Sequence, residues 1–434
     1  MLCPLDSRYK DKVNEIAAIF SPVELTTQRL YVMEFWVKFI TTELGIDYDF
    51  TQFNNDNDMV DVHAEIEQLE FNVTRHDINA CIKYLEKKYN NDPKIVPYIH
   101  FGLTSNDVNS VAYANLMSNG ISCIKNRIHD VITIITDFAN NNNYPMLART
   151  HGQTATPITF KQAMLVFVER LQNELQKLTN IQIHCKFGGA TGGMNSLYVV
   201  RPDINWQERL DHFIEIYFSL QRDKYTTQID HYDCYAEVFD CLKRISVILI
   251  NFVQDIWLYI SLGYIVQKPV KGEVGSSTMP HKVNPIQMEN AKGNLLLAKS
   301  LFSTLSAELP ISTLQRDLHD STMLRNIGMP FGYLSLALTS ITDGLVRYHP
   351  SQDNMAADLD QHWEVLGEAV QTVMRSEGCV NAYDIIKEAT RNNDKMDKKS
   401  YMRMVNDLHQ AGKLSVDGWG KLIQLTPETY LPGF

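Results

Sequence analysis

The residues best suited to chemistry lie in the segment Gly272–Glu289, which carries the paired serines Ser276 and Ser277. A serine hydroxyl is a poor base, so it needs a nearby cation and N–H donors to stabilise an alkoxide. Lys282 can supply the cation. Asn284 with its following proline is typical of a helix start, where backbone N–H groups favour an anion. Read locally, the same pattern also fits an ordinary cap or turn.

A second polar segment, Ala148–Pro157, is predicted as a loop between two helical patterns. His151 suits general acid or base catalysis, because the ordinary pKa of histidine lies near neutral pH. Thr150 and Gln153 can donate hydrogen bonds to a carboxylate or amide. A single histidine in a loop is more often just solvated, and this segment read alone favours that interpretation.

Further candidate anion sites lie at predicted helix ends. Thr104 and Ser105 open a long helix and could hold a phosphate or carboxylate, although ordinary capping explains Ser105 equally well. Ser321 and Arg325 are four residues apart and could share a helix face, with exposed ion pairing as the alternative. The glycine-rich run Gly188–Gly193 lacks the lysine of a P-loop and the context of a dinucleotide fingerprint, so we assign it no nucleotide role.

The composition excludes several classes of protein. The 434 residues are 44% hydrophobic with a formal net charge of −11, and no stretch concentrates Lys and Arg, so nucleic acid is not expected as a partner. The seven cysteines include no C-x-x-C spacing, which indicates reduced thiols and no structural zinc. The start of the chain has no apolar signal region, and we therefore expect a cytoplasmic location.

One apolar run, Ile245–Val266, is long enough to raise the question of a membrane span. Asn251, Gln254 and Asp255 fall at its middle, where a bilayer would penalise them. The run therefore predicts a helix buried by other helices, and we expect no membrane association.

Apolar residues at three- and four-residue spacing dominate the chain and predict a mostly α-helical bundle. Leu30, Met33, Val37 and Ile40 are typical, with Gly45 as the expected end of that helix. Longer patterns predict helices at about 106–138, 159–178, 206–220, 232–264, 285–309 and 322–348, and a small helical domain after residue 348.

Two local features complete these predictions. A short β-prone run at Leu197–Val200 is the clearest candidate strand. Asn205 with Glu208 has the spacing of a capping box, which predicts a helix start there.

The run Ser276–Pro285 resembles the signature of the fumarase and aspartase superfamily. Arg149–Pro157, His281, Thr104–Ser105 and Ser7–Tyr9 narrow the resemblance to the adenylosuccinate lyase family, in its bacterial-type branch. The similarity extends from Arg8 to about Gly378.

This resemblance implies an all-α fold of three helical domains, at residues 1–106, 107–348 and 349–434. The central domain would donate long helices to a twenty-helix core in a homotetramer. Each active site would combine segments from three chains, which explains how scattered motifs could meet.

The resemblance also implies the reaction. This would be a β-elimination that cleaves a C–N bond in purine nucleotide biosynthesis. Adenylosuccinate would give AMP and fumarate, and succinylaminoimidazole carboxamide ribotide would give the carboxamide ribotide and fumarate. An acid, a base and electrostatic stabilisation suffice for such a step, so we expect no metal and no organic cofactor.

By position, Ser276 matches the family's general base and His151 its general acid, with Glu289 orienting His151. Lys282 and Asn284 would stabilise the developing aci-carboxylate. His76 would lie close to the chemistry. The implied substrate contacts are Arg8, Tyr9, Arg75, Asp77, Thr104, Ser105, Thr150, Gln153, Gln228, Ser277, Arg316, Ser321 and Arg325. Arg75 departs from the family pattern, which often has asparagine there.

Two other functions remain possible from the sequence. One is a different lyase of the superfamily, acting on argininosuccinate, on aspartate or as a cycloisomerase. The residues that match phosphate contacts, Arg316, Ser321 and Arg325, argue against it, because those substrates carry no ribose phosphate. The other is a structural protein without turnover, like the recruited lens crystallins. The intact set of Ser276, His151 and Glu289 argues against that.

Overall fold

The computed structural model describes residues 3–50, 58–268, 278–391 and 396–432. These residues are predominantly helical, as the apolar spacing predicts. The chain divides into two compact units. Unit 1 comprises Met1–His129, Asn173–Ile250 and Asn290–Ser340, and unit 2 comprises Asp130–Gln172, Asn251–Glu289 and Ile341–Phe434. The three-domain division remains a prediction.

The described residues of the first part of the chain form five α-helices. They are α1 (Asn14–Ile19), α2 (Pro22–Glu43), α3 (Met59–Leu69), α4 (Asp77–Lys88) and the long α5 (Ser105–Asn140). The Ser21 hydroxyl accepts the Glu24 N–H at the start of α2, and Gly45 has a φ of 70° just beyond its end. Left-handed backbone favours glycine, so the predicted end of α2 is confirmed.

The middle of the chain contains the other long helices. They are α6 (Phe160–Asn180), α7 (Asn195–Val200), α8 (Trp206–Phe218), α9 (Asp233–Ser261), α10 (Ile286–Glu308), α11 (His319–Leu324) and α12 (Gly328–Leu345). The predicted helices at about 106–138, 159–178, 206–220, 232–264 and 285–309 are confirmed to within a few residues.

The last part of the chain forms α13 (Gln352–Asp360), α14 (Gly367–Ser376), α15 (Ala382–Arg391), α16 (Lys398–Gln410) and α17 (Val416–Ile423). The apolar faces of α14 to α17 share one buried cluster that includes Trp363, Val370, Met374 and Tyr401. A larger cluster in unit 1 joins α2, α4 and α8 around Trp36 and Phe213.

Across the segments that the structure describes, three short two-stranded sheets accompany the helices. β1 (Pro145–Thr150) pairs antiparallel with β2 (Gln153–Thr159), and β3 (His184–Cys185) pairs parallel with β4 (Gln221–Arg222). β5 (Ile265–Gln267) pairs antiparallel with β6 (Tyr348–Pro350).

Two sequence predictions about local structure are wrong, and a third is right only in part. The segment Ala148–Pro157 is a β-hairpin rather than a loop. Leu197–Val200 is part of α7, because Leu197 and Tyr198 both donate backbone hydrogen bonds to Met194. The helix start predicted at Asn205 is confirmed, since α8 begins at Trp206, but the capping box is not: among the described residues Asn205 makes no capping bond to the backbone, and its side-chain amide donates to the Glu208 carboxylate.

The helix predicted at 322–348 is also interrupted, between α11 and α12. The side-chain amide of Asn326 donates to the carbonyl of Thr322, which a continuing helix would reserve for the backbone N–H of Asn326. That N–H bonds to Met323 instead, so the helix ends in a tight turn.

In the described residues, no helix is long and apolar enough to cross a membrane. The run Ile245–Val266, predicted to be buried on all sides, belongs mostly to α9. Within one chain that prediction is wrong, because five of the run's large apolar side chains are exposed, namely Val247, Trp257, Leu258, Leu262 and Val266.

Candidate active site

His151 lies at the tip of the β1–β2 hairpin in unit 2. Thr150 pairs with Gln153, which leaves His151 and Gly152 as a two-residue turn with φ values of 53° and 73°. Positive φ at both positions is typical of a type I′ turn, whose twist matches that of the strands. Thr150, His151 and Gln153 are all exposed. The turn therefore presents three predicted site residues at one exposed tip.

The serine segment is described only in part. Ser276 and Ser277 lie outside the described residues. Lys282 is exposed and its N–H donates to the Met279 carbonyl at 3.1 Å, which forms a tight turn. Asn284 is half-buried and lies two residues before the start of α10, close to the helix start predicted from the sequence.

Glu289 lies exposed in the first turn of α10. Its Oε1 accepts a hydrogen bond from Trp257 Nε1 at 3.4 Å. Within the described part of one chain, Glu289 makes no hydrogen bond to His151. The orienting contact between them therefore remains a prediction.

A second group of predicted residues meets in unit 1, around His76. Its Nδ1 accepts the Asn79 N–H at the start of α4, and its Nε2 lies 3.4 Å from Ser105 Oγ. A neutral histidine whose Nδ1 accepts carries its hydrogen on Nε2. The Nε2–H of a neutral His76 is thus a potential hydrogen-bond donor beside Ser105. The His76 side chain is 43% exposed.

Asp77 follows His76 and is held by two arginines. Arg29 Nη2 donates to its Oδ2 at 2.6 Å, and Arg325 Nη2 lies 3.9 Å from the same oxygen. Burial acts to raise the pKa of Asp77, but Arg29 and the Ile78 N–H outweigh it and hold the pKa below its usual value. Asp77 is therefore an ionised acceptor at neutral pH.

Arg29, Asp77 and Arg325 line a cleft of ≈ 290 Å³ in unit 1. Most of the remaining lining is apolar, including Phe20 and Ile327. Arg325 Nη1 also donates to Ser321 Oγ at 2.9 Å, so these two residues share a helix face as their spacing predicts. The cleft combines cationic, anionic and apolar surface.

Arg316 and Gln228 are also brought together in unit 1. Arg316 Nη1 donates to Gln228 Oε1 at 3.4 Å. The Nε of Arg316 is buried and has no hydrogen-bond partner among the described residues. A buried donor without a partner is costly, so this guanidinium is suited to an anionic ligand.

The remaining predicted residues of unit 1 are peripheral to these contacts. Asn290 Nδ2 donates to the hydroxyl of Tyr9 at 3.1 Å, and the Arg8 guanidinium lies 5.7 Å from the Tyr9 ring centroid. Arg75 has a φ of 52° after a π-helical turn at Glu70–Thr74, and its guanidinium lies 4.9 Å from the Phe71 ring. The Arg75 side chain therefore packs against the π-helical turn that precedes it.

Thr104 is anchored by Asp107, a residue that was not predicted from the sequence. Asp107 Oδ2 accepts the Thr104 N–H at 2.7 Å, and Oδ1 accepts the N–H groups of Gly188 and Gly189. Lys186 Nζ lies 2.7 Å from the same Oδ1, and both side chains are 0% exposed. This buried pair fixes the glycine loop against the start of α5.

Asp107, Lys186 and Arg29 were not predicted as site residues, and they differ in how far the sequence could have revealed them. Thr104 and Asp107 have the S/T-x-x-D/E spacing of a capping box, which the sequence shows. Lys186 gives no such signal, because lysine is almost never fully buried unless paired. Arg29 is a buried residue of α2, and its type and position in the sequence do not reveal its partner.

Comparison with known proteins identifies the family. Residues 52–298 match the family described as Lyase, and residues 312–431 match the family described as Adenylosuccinate lyase C-terminal. An adenylosuccinate lyase of Dictyostelium discoideum is 41% identical over 411 residues, which cover 90% of this chain and 88% of the relative. The chain belongs to the adenylosuccinate lyase family.

Bacterial members of the adenylosuccinate lyase family match over almost the whole chain. The adenylosuccinate lyase of Legionella pneumophila strain Philadelphia 1 is 38% identical and that of Escherichia coli K12 is 34% identical. The matches cover 99% of this chain in both cases, and 96% and 95% of the relatives. The family assignment therefore includes both units.

Solved structures share the fold of this family member. A fumarate lyase from Mesorhizobium sp. BNC1 has a TM-score of 0.78 at 18% identity, covering 96% of this chain and 95% of the other. The 3-carboxy-cis,cis-muconate lactonizing enzyme from Pseudomonas putida has a TM-score of 0.73 at 20% identity, covering 96% and 93%. The helical superfamily fold, predicted from the sequence, is confirmed.

Proposed function

We propose that this chain is a C–N lyase that releases fumarate from adenylosuccinate, giving AMP, and from succinylaminoimidazole carboxamide ribotide. The proposal rests on one observation: the amino-acid sequence of this chain is 34% to 41% identical to those of adenylosuccinate lyases, over 90% or more of the chain. Both reactions serve purine nucleotide biosynthesis and share one elimination chemistry.

The elimination breaks a C–N bond and forms the C=C bond of fumarate. Ser276, as alkoxide, takes the proton from the carbon next to a succinyl carboxylate, and that carboxylate gains charge. Lys282 and Asn284 stabilise the charge where it develops. His151 gives its proton to the departing nitrogen. Support for the His151 role is its exposed position at a hairpin tip, where a bound substrate can reach it.

The nucleotide part is assigned to unit 1. Arg316, with its buried and unpartnered Nε, and Arg325, which lines the cleft, are suited to the phosphate. Ser321 and Arg8 are further proposed phosphate contacts. The other proposed nucleotide contacts are Tyr9, Arg75, Asp77, Thr104 and Ser105. Gln153, Thr150, Gln228 and Ser277 are assigned to the succinyl part.

We further propose a homotetramer in which three chains contribute to each site. Glu289 contacts Trp257 rather than His151 within one chain, which favours an orienting contact supplied across an interface. Exposed apolar side chains on the long helices are suited to such an interface, namely Val166, Val247, Trp257, Leu258, Leu296 and Leu297. Light scattering that gives the 49.7 kDa monomer mass at assay concentration would contradict the tetramer.

The proposed location is the cytoplasm. All seven cysteines have free thiols in the structure, which suits a reducing compartment. Fractionation of cells that express the full chain would test this, and recovery of activity outside the cytosolic fraction would contradict it.

The test of the function is the ultraviolet absorbance change of adenylosuccinate with purified protein. We expect turnover by the native chain and a loss of orders of magnitude for Ser276→Ala. The matched control is Ser376→Ala, an exposed serine at the end of α14, which should keep full activity. Faster turnover of argininosuccinate or aspartate than of adenylosuccinate would overturn the substrate assignment.

A further inference from the structure

The His151 hairpin is tied to its surroundings by one arginine. Arg149 lies two residues before His151, at the end of β1, and its side chain is 27% exposed. Its Nη2 donates to Asp358 Oδ2 at 2.6 Å, and its Nη1 donates to the Tyr264 hydroxyl at 3.1 Å. The guanidinium also lies 5.6 Å from the centroid of the Tyr264 ring. One side chain therefore makes an ion pair, a hydrogen bond and a cation–π contact.

The other two members complete a closed triad. The Tyr264 hydroxyl donates to the same Asp358 Oδ2 at 2.5 Å. Burial acts to raise the pKa of Asp358, but the hydrogen bonds from Tyr264 and Arg149 outweigh it and hold the pKa below its usual value. Burial raises the pKa of Tyr264 to about 12, so its hydroxyl remains a donor at neutral pH. Each of the three side chains therefore makes a hydrogen bond with each of the other two.

The triad joins three elements of unit 2. Arg149 is on β1, Asp358 is near the end of α13, and Tyr264 immediately precedes β5. Leu147 on β1 also packs with Leu359 and Val365, so an apolar contact accompanies the polar one. In the sequence, β5 leads directly into the segment that carries Ser276. The triad therefore ties the strand that leads to the proposed acid to the strand that precedes the proposed base in the sequence.

The hairpin needs such an anchor near its tip. The pairing of β1 with β2 is irregular between Leu147 and Arg149, which interrupts the regular ladder just before the turn. A two-stranded hairpin is only marginally stable in water by itself. The ion pair of Arg149 lies between this irregularity and His151, where it can fix the direction of the tip.

We propose that Arg149, Asp358 and Tyr264 are positioning residues that hold the turn carrying His151 in its productive orientation. The proposal rests on the proposed role of His151 as general acid. Displacing a catalytic group by about 1 Å can cost on the order of 100-fold in rate. Loss of the triad should therefore lower kcat while KM changes little.

The test uses Asp358→Asn and Tyr264→Phe, which change few atoms, and compares them with Glu34→Gln. Glu34 is a matched control, because it accepts from the cation Lys88 and from the hydroxyl of Tyr89 in unit 1. We expect kcat with adenylosuccinate to fall about 10- to 100-fold in Asp358→Asn and less in Tyr264→Phe. Glu34→Gln should leave kcat within about two-fold.

A double-variant cycle separates positioning from general stability. If the triad acts through His151, Asp358→Asn should cost almost nothing further in a chain that already carries His151→Asn. An equal fold-loss in both backgrounds would overturn the proposal.

A second measurement does not depend on activity. Amide exchange of peptides from residues 145–159 should be faster in Asp358→Asn than in the native chain, and unchanged in Glu34→Gln. Unchanged exchange in Asp358→Asn would also overturn the proposal. An inactive native chain with faster exchange in the variant would reject the proposed function and retain the anchoring role of the triad.

Discussion

Replacing His151 by asparagine should remove the proposed acid while improving the turn that carries it. His151 has a φ of 53° and is followed by Gly152 at 73°. A residue with a Cβ atom pays roughly 1–2 kcal/mol for left-handed backbone, and asparagine is the non-glycine residue that tolerates it best. Asn–Gly is also the preferred sequence for a type I′ turn.

The expected magnitudes follow from this geometry. His151→Asn should lower kcat by about 10²- to 10⁴-fold, which corresponds to roughly 3–5 kcal/mol of transition-state free energy. The local opening free energy of the hairpin should stay the same or rise by up to about 1 kcal/mol, equivalent to about five-fold slower amide exchange. His151→Val should instead speed exchange, because a β-branched residue fits positive φ poorly.

The assay combines adenylosuccinate absorbance with peptide-resolved hydrogen exchange over residues 145–159. His212→Asn, an exposed histidine on α8, is the matched control and should change neither result. A His151→Asn variant that keeps more than about a tenth of native kcat would refute the acid role. Faster hairpin exchange in that variant would refute the turn argument.

Three other outcomes are expected from the contacts of unit 1. Asp107→Asn should cost about 3–5 kcal/mol of unfolding free energy, because Lys186 is left buried without a charge partner. Denaturant unfolding should also show that Asp107→Asn with Lys186→Met is less damaging than the sum of the two single variants. Arg325→Ala should raise KM for adenylosuccinate by at least about 10-fold and weaken inhibition by AMP in parallel, and unchanged values would remove Arg325 from the phosphate site. Asp77→Asn should destabilise the chain equally from pH 8 to 5, and its effect on the thermal midpoint should shrink below about pH 4. Its folded pKa is depressed, so the stabilisation by Arg29 is present above the ordinary pKa and is lost as pH falls through the folded one.

Much of the helical fold follows from the sequence, because apolar spacing persists over long stretches. Trp36 and Val37 lie in the unit 1 core where the pattern of α2 places them. The break between α11 and α12 cannot be predicted from apolar spacing. It depends on the side chain of Asn326, which competes with the backbone for the Thr322 carbonyl. Leu197–Val200 is helical although its residues favour strands, which shows how local hydrogen bonds to Met194 override propensity.

The candidate site, like the fold, can be predicted from the sequence only in part. His151, Thr150 and Gln153 could be selected by chemical type, but the hairpin that presents them depends on pairing between residues that look like a polar loop. The partners Arg29 and Asp358 are distant in sequence from Asp77 and Arg149, and periodicity gives no information about such pairs. Long-range ion pairs of this kind require the folded chain.

The complete burial of Lys186 also makes its amine a natural reporter of unfolding. Nζ has no accessible surface, and it donates to the Gly189 carbonyl while it pairs with Asp107. Amine-reactive acylating reagents should therefore modify exposed lysines such as Lys87 and Lys421 at once and reach Lys186 only after this part of the chain opens. The slow phase of acylation would then measure how often the native enzyme opens at the start of α5, without any denaturant.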